Sequence, residues 1–185
     1  MKRLSSLATL LAACVFSAAC SPDVQADPVQ ATQASPAPVA PEFRGIDNWL
    51  NGPPQRLRDL RGKVVLVEFW TYSCINCVRV MPHVKQWHAK YKDRGLVVIG
   101  VHTPEYGFEK KLGNVRAAVQ RFGITYPVAQ DNGYETWNAY GNRYWPAMYL
   151  IDPQGRIVYR HFGEGQYEET EARIRALLDA GPGAG

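Results

Sequence analysis

Residues 64–70 read Val-Val-Leu-Val-Glu-Phe-Trp, an apolar run rich in β-branched residues and broken by a single acid. A run this short and this uniformly apolar predicts a strand buried on both faces, as in the interior of an α/β sheet. Because every neighbour of Glu68 is apolar, alternation does not reveal which face the acid takes. Polar Thr71, Tyr72 and Ser73 follow. Val78, Met81, Val84 and then Trp87 or His88 recur at helical spacing and predict a helix opening at residues 74–77. Asp93-Arg94-Gly95 is a stop signal, and 96–101 is a second buried strand. Strand, helix and strand in this order require a right-handed crossover and a parallel pair.

Further on, Val115, Ala118, Val119 and Phe122 trace a helix ending at Gly123. Residues 126–129 form a short extended piece, Asn132-Gly133 a turn, and 134–140 one or two helical turns carrying Trp137. The last third reads strand, strand, helix. Residues 147–151 and 156–162 flank an Asp-Pro-Gln-Gly turn with Pro and Gly where a hairpin needs them. In the second of these strands Ile157, Tyr159 and His161 share a face. A helix then runs to about residue 178, with Ala172, Ile174, Leu177 and Leu178 as its expected buried positions. Upstream of the central strand, Ile46, Trp49 and Leu50, then Leu57 and Leu60 around Asn51-Gly52-Pro53-Pro54, suggest a short strand and a turn.

Composition adds an address. The chain has 185 residues, enough for one domain plus extensions, and its hydrophobic content of 46% can build a core. A net charge of +4 without a dense Lys/Arg block gives no nucleic-acid signal and reads as a solvated basic surface. Lys2-Arg3 followed by a small-residue apolar stretch reads as a secretory leader over residues 1–20. Cys20 is taken as a lipidated residue. Cys14, in a better lipobox with a shorter apolar region, and ordinary cleavage after Ala26 are the alternatives. Residues 21–42, rich in Ala and Pro, cannot bury a core and read as a flexible tether. The folded domain is expected over 43–180, with a frayed tail at 181–185.

Of the four cysteines, only Cys74 and Cys77 then remain in the folded part. A C-x-x-C pair at a strand-to-helix junction sets its first sulfur over the free N–H groups of the helix start, where a thiolate is stabilised. That is the requirement for thiol–disulfide exchange: Cys74 attacks and Cys77, one turn deeper, resolves. The competing reading, a structural disulfide, would restrict the unfolded chain by only ~2 kcal/mol for so short a loop. Cys74, Cys77, His83 and His88 lack zinc-site spacing, His83 and His88 are expected to face solvent, and Val78 after the second cysteine excludes covalent haem attachment. No metal is expected. Glu105, following the second strand at the sheet edge where α/β chemistry gathers, is a second candidate acid.

The segment from Val67-Glu68-Phe69-Trp70 through C-x-x-C to Pro82 resembles the active-site segment of thioredoxin. The run Trp70-Thr71-Tyr72-Ser73-Cys74-Ile75-Asn76-Cys77 resembles more specifically the extracytoplasmic thioredoxin-like domains of the DipZ type, relatives of the TlpA and ResA group. Ser73 replaces the thioredoxin Trp, and Ile75-Asn76 replace its Gly-Pro, so thioredoxin's reducing role does not carry over. The resemblance implies an α/β thioredoxin-like fold: a central mixed sheet flanked by helices, with an N-terminal extension and a mid-chain insertion. It places Glu68 where thioredoxin has a buried Asp, as proton acceptor for Cys77, against a structural acid paired with Lys63. It implies a cis bond before Pro146, facing the sulfurs, with Trp145 and Tyr72 on the substrate side. It also implies an exported, periplasmic, lipid-anchored oxidoreductase acting on protein thiols and disulfides. No bound cofactor is implied, and electrons would be shared with a membrane carrier of the cytochrome c biogenesis type. A thiol peroxidase and a redox-inert lipoprotein adaptor are the alternatives.

Overall fold

The computed structural model describes residues 37–181. The leader over 1–20 with Cys14 and Cys20, the tether over 21–36 and the tail at 182–185 lie outside the described residues. The described elements are β1 (Asn48–Leu50), β2 (Val64–Trp70), α1 (Ile75–Tyr91), β3 (Leu96–His102), α2 (Leu112–Arg121), β4 (Val128–Gln130), α3 (Glu135–Ala139), β5 (Ala147–Ile151), β6 (Ile157–Phe162) and α4 (Tyr167–Ala180). Short 3₁₀ turns occupy Leu57–Leu60, Lys92–Arg94 and Gly107–Lys110. None of the described helices is long and apolar enough to cross a membrane.

The strands form one mixed sheet in the order β1-β4-β3-β2-β5-β6. β2 and β3 pair in parallel through α1, whereas β5 returns antiparallel on the other side of β2 and β6 pairs antiparallel with β5. β2 is an interior strand, buried at all seven positions. Its alternation sorts the core into two. Val64, Leu66 and Trp70 join Val80, Met81, Val84 and Trp87 of α1, Val115 and Val119 of α2, and Ile174 of α4 on one face. Val65, Val67 and Phe69 join Ile99, Val101, Trp137 and Tyr140 on the other. Each fully buried aliphatic side chain contributes about 1.5–3 kcal/mol. The segment between β3 and β5, which contains α2, β4 and α3, is the mid-chain insertion; its β4 also carries β1 as an antiparallel edge strand.

Three expectations change. The domain starts before residue 43: Val39 bridges Arg156, the Ala40 N–H donates to the Gly155 carbonyl at 2.9 Å, and Pro38 accepts from Ile157 at 2.8 Å. Backbone pairing at the turn of the β5–β6 hairpin orders a stretch whose side chains carry no such signal. In α4, Ala172 is exposed, Leu177 and Leu178 are half-buried, and Thr170 is fully buried with Ile174. Residues 170, 174 and 177 follow the helical repeat, whereas 172 points about 200° away from 170. His83 and His88 are both half-buried rather than solvent-facing. His83 stacks on Tyr167 with centroids 3.6 Å apart, and His88 meets Tyr126 edge-on at 5.6 Å.

Gly100 sits in the middle of β3 without a positive φ, where glycine weakens a strand. A Cβ there would come within 3.0 Å of Trp70 Nε1 and 3.1 Å of Tyr126 Cε2, so the glycine makes room for two buried rings. Gly100→Ala is expected to lose about 1–3 kcal/mol by overpacking. Gly107→Ala, where a Cβ meets nothing, should change little. Urea unfolding of both variants checks the contrast.

Candidate active site

The two cysteines occupy the junction of β2 and α1. Cys74 is the N-cap of α1, half-buried, and its Sγ accepts the Cys77 N–H at 3.4 Å. Cys77 is fully buried, one turn in, and both are free thiols. Their ionisation is pushed in opposite directions. A hydrogen bond from the Cys77 thiol, helped by the N–H groups of Cys77 and Asn76, brings Cys74 down to about 6 against the opposition of partial burial and the Glu105 charge. Cys77 is pushed far up, first by holding that hydrogen bond and then by burial. The exposed sulfur is the thiolate and the deep one keeps the proton, which fits an attacking and a resolving cysteine.

Alternation along β2 puts Glu68 on the α1 face, the same side as Cys77. It is wholly buried. The Tyr126 hydroxyl, rather than Lys63, donates to its Oε2 at 3.1 Å, and its Oε1 accepts no hydrogen bond. Burial raises its carboxyl to about 8, partly offset by that hydroxyl, and its charge in turn opposes ionisation of Cys77. The ionised fraction of such a carboxyl is a base strong enough to take up the proton that Cys77 must release.

On the opposite side of the sulfurs lies the Trp145–Pro146 peptide, which is cis. The Trp145 carbonyl oxygen is 3.9 Å from Cys74 Sγ, where it can accept a hydrogen bond only while that sulfur is protonated. The indole itself turns inward: it packs at a tilt of 34° on Trp137 with centroids 4.1 Å apart and donates Nε1–H to the Thr103 carbonyl at 3.0 Å. Trp145 thus presents its backbone, not its ring, to the cysteine. Tyr72 is half-buried, stacks on the buried His102 ring at 5.6 Å and donates its hydroxyl to the Phe108 carbonyl at 3.2 Å. Exposed Ile75, Tyr106 and Phe108 extend this apolar rim, with Tyr106 and Phe108 stacked parallel at 5.6 Å. The His102 imidazole is lowered by burial to about 4 and stays neutral.

Glu105 is exposed, and its contribution is a charge that works against the Cys74 thiolate. The acid its loop buries is Glu109, which the hydrophobic pattern does not flag. One Glu109 oxygen accepts the Ser73 hydroxyl at 2.5 Å; the other accepts the N–H groups of Glu105 at 2.6 Å and Tyr106 at 2.8 Å. Burial raises its carboxyl, but the Ser73 and Thr71 hydroxyls and these N–H groups outweigh it, and the group lies below the ordinary carboxylate range. Glu109 therefore ties the loop after β3 to the residue preceding Cys74. Its one local signal is an acid three residues after the start of a helical turn, the position from which a side chain reaches back to a free N–H. Tyr126 is the other residue missed, since nothing in its sequence neighbourhood points to Glu68. Among the described residues no group of three or more His, Cys, Asp or Glu side chains could hold a metal ion.

Comparison with known proteins gives the family and the fold. The family model for redoxin matches residues 34–178. The chain is 56% identical over 157 residues to protein DipZ of Mycobacterium tuberculosis, an alignment covering 83% of this chain and 23% of DipZ. It thus spans about a quarter of the length of that relative. It is 34% identical to the thiol-disulfide oxidoreductase YkuV of Bacillus subtilis, covering 75% of this chain and 93% of YkuV. Among solved structures, a thiol-disulfide isomerase from Corynebacterium glutamicum superposes with a TM-score of 0.68 at 28% identity, covering 75% of this chain and 96% of the other.

The two sulfurs should separate in a pH series. With Cys74 at about 6, its alkylation by iodoacetamide in the reduced protein is expected to rise through that pH and level off above pH 7, while Cys77 stays unmodified. Mass spectrometry of partly alkylated protein reads both rates, and labelling of Cys77 first would reverse the roles. Glu68 gives a second test. Its folded value of about 8 lies above the unfolded 4.5, so its contribution to stability is full below pH 4.5 and is lost as pH rises through 8. Glu68→Gln should accordingly gain stability over the wild type at pH 8, and the gain should vanish near pH 4. Thermal unfolding across that range measures it.

Proposed function

The chain belongs to the redoxin family and is an oxidoreductase of the thioredoxin-like type, and from that premise we propose that it exchanges a dithiol for a disulfide with protein substrates outside the cytoplasm. The observation that carries this reading is the opposed ionisation of Cys74 and Cys77 at the head of α1. The Cys74 thiolate attacks one sulfur of a substrate disulfide, forming a mixed disulfide and expelling the other substrate sulfur as a thiolate. Cys77 then gives its proton to Glu68 and attacks the Cys74 sulfur. The second substrate sulfur leaves, the Cys74–Cys77 disulfide forms, and two electrons pass to the substrate. Reversal oxidises a substrate dithiol. The electrons reside in the cysteine pair, so no bound cofactor is needed.

Several features support a polypeptide substrate. The Trp145 backbone beside Cys74 gives an extended chain a place to pair, with the side chains of Pro146 and Trp145 buried or half-buried behind it. Tyr72, Ile75, Tyr106 and Phe108 form an apolar rim for its side chains. The leader-like residues 1–20 and the similarity to DipZ and ResA support export, with lipid anchoring at Cys20. On the same basis we place the electron partner among membrane carriers of the cytochrome c biogenesis type, and apocytochrome c thiols among the substrates.

Reduction of insulin disulfides run beside peroxide consumption decides between exchange and thiol peroxidase chemistry. Exchange with little peroxide turnover is expected, and activity in neither assay would leave a redox-inert adaptor. Cys74→Ser should abolish exchange, whereas Cys77→Ser should accumulate the mixed disulfide. Glu68→Gln should slow release of that species and leave first attack by Cys74 nearly unchanged, as followed by stopped-flow with a fluorescent peptide disulfide.

A further inference from the structure

We propose that Tyr126 is a positioning residue for the resolving step: its hydroxyl binds Oε2 of Glu68 and so leaves Oε1 as the oxygen that receives the Cys77 proton. This rests on the reading of Glu68 as proton acceptor.

The arrangement is built rather than incidental. Tyr126 lies outside the regular elements, just before β4, yet is wholly buried, and its hydroxyl reaches Glu68 at 3.1 Å. Its ring lies against Gly100, where the missing side chain leaves room for it, directly opposite Glu68 in the parallel β2–β3 register. A side chain at Gly100 would press on Tyr126 and on Trp70 at once. A phenol is also the right donor. At neutral pH it keeps its proton, because burial and the adjacent carboxyl both drive its ionisation upward. It therefore donates to Glu68 and does not compete for the proton that Cys77 gives up. A carboxylate that accepts a hydrogen bond on one oxygen is held in a fixed plane, and its second oxygen is the more basic site left for uptake.

The groups facing this pair are few. From α1 come Cys77, whose ionisation the Glu68 charge opposes, and His88, edge-on to the Tyr126 ring. His88 lies below its ordinary value through burial and stays neutral above pH 7, outside the window in which Glu68 titrates. β3 presents Gly100 and β5 presents Met148, neither titratable.

Removing the hydroxyl removes the interaction that favours the ionised carboxyl. In Tyr126→Phe the Glu68 carboxyl should titrate higher than in the wild type. Each unit of upward shift leaves about tenfold less of the base form at pH 7, partly offset because a stronger base accepts a proton faster. Release of the mixed disulfide is therefore expected to slow several-fold at pH 7, with its pH midpoint moved upward and first attack by Cys74 unchanged. Carbon-13 NMR of the Glu68 carboxyl in the reduced protein reads the titration without any turnover. Stopped-flow release is measured for wild type, Glu68→Gln, Tyr126→Phe and the double variant. The proposal expects the double variant to match Glu68→Gln alone, because Tyr126 acts only through that acid. If Glu68→Gln releases as fast as the wild type, the assignment of Glu68 fails and the proposal falls with it. If Glu68→Gln is slow but Tyr126→Phe shows neither a shifted midpoint nor slowed release, the assignment stands and the proposal alone is overturned. A double variant slower than Glu68→Gln overturns it as well, since Tyr126 would then act on its own.

Discussion

A strand buried on both faces leaves no place for a solvated charge, and the rest of this molecule is arranged around that constraint. β2 is such a strand, covered by α1, α2 and α4 on one face and by α3 and the N-terminal segment on the other. Its carboxyl end is where the backbone leaves the sheet and α1 begins, so the free N–H groups of a helix start are delivered to the edge of a dry core. One sulfur sits at that boundary and one beneath it. The placement of Cys74 and Cys77 therefore follows from the burial of β2 together with the helical rise that separates the N-cap from the first full turn.

The same burial produces both halves of the electrostatics. At the boundary, hydrogen bonds to Cys74 outweigh partial desolvation and the thiolate is favoured. One turn inward, the bond to Cys74 and then desolvation both favour the protonated thiol at Cys77, and desolvation keeps Glu68 largely protonated near neutrality. A buried acid in an apolar strand is destabilising. Here the cost is reduced but not removed, because Tyr126 satisfies one oxygen and leaves the other without a partner. Unsatisfied polar atoms in a well-packed core call for an explanation, which the proposed proton transfer with Cys77 would supply.

What could be read from the sequence divides along a physical line. The β2 run, the α1 periodicity, the hairpin turn and the C-x-x-C junction are local, and local patterns carry period, capping and turn chemistry. The fold class was legible because those local elements fall in an order that one topology satisfies. The partners of the buried acids were not. Ser73 and Glu109 are 36 residues apart, and Tyr126 and Glu68 are 58 apart. Neither pair leaves a periodic trace. Glu105 and Glu109 share one loop and one chemistry, and only the backbone path decides that the first meets water while the second is folded under it. The pairing of Pro38, Val39 and Ala40 with the β5–β6 turn was invisible for a related reason: it is made by backbone groups, which every sequence has.

The division of labour between those two acids bears on redox poise. Stabilising the Cys74 thiolate stabilises the reduced dithiol relative to the disulfide and makes the couple more oxidising. The helix start and the Cys77 thiol act in that direction; the exposed Glu105 carboxylate acts against it. Glu109, held below the carboxylate range by four donors, is ionised throughout the working range and fixes the loop on which Glu105 stands. The backbone that carries the opposing charge is thereby tied to the turn before Cys74. An exposed charge is weakened by salt whereas the buried hydrogen bonds are not, so the contribution of Glu105 fades with ionic strength and that of the helix start persists. The balance at Cys74 is consequently set by a rigid internal part and trimmed by a surface part, and the two are separable by salt alone.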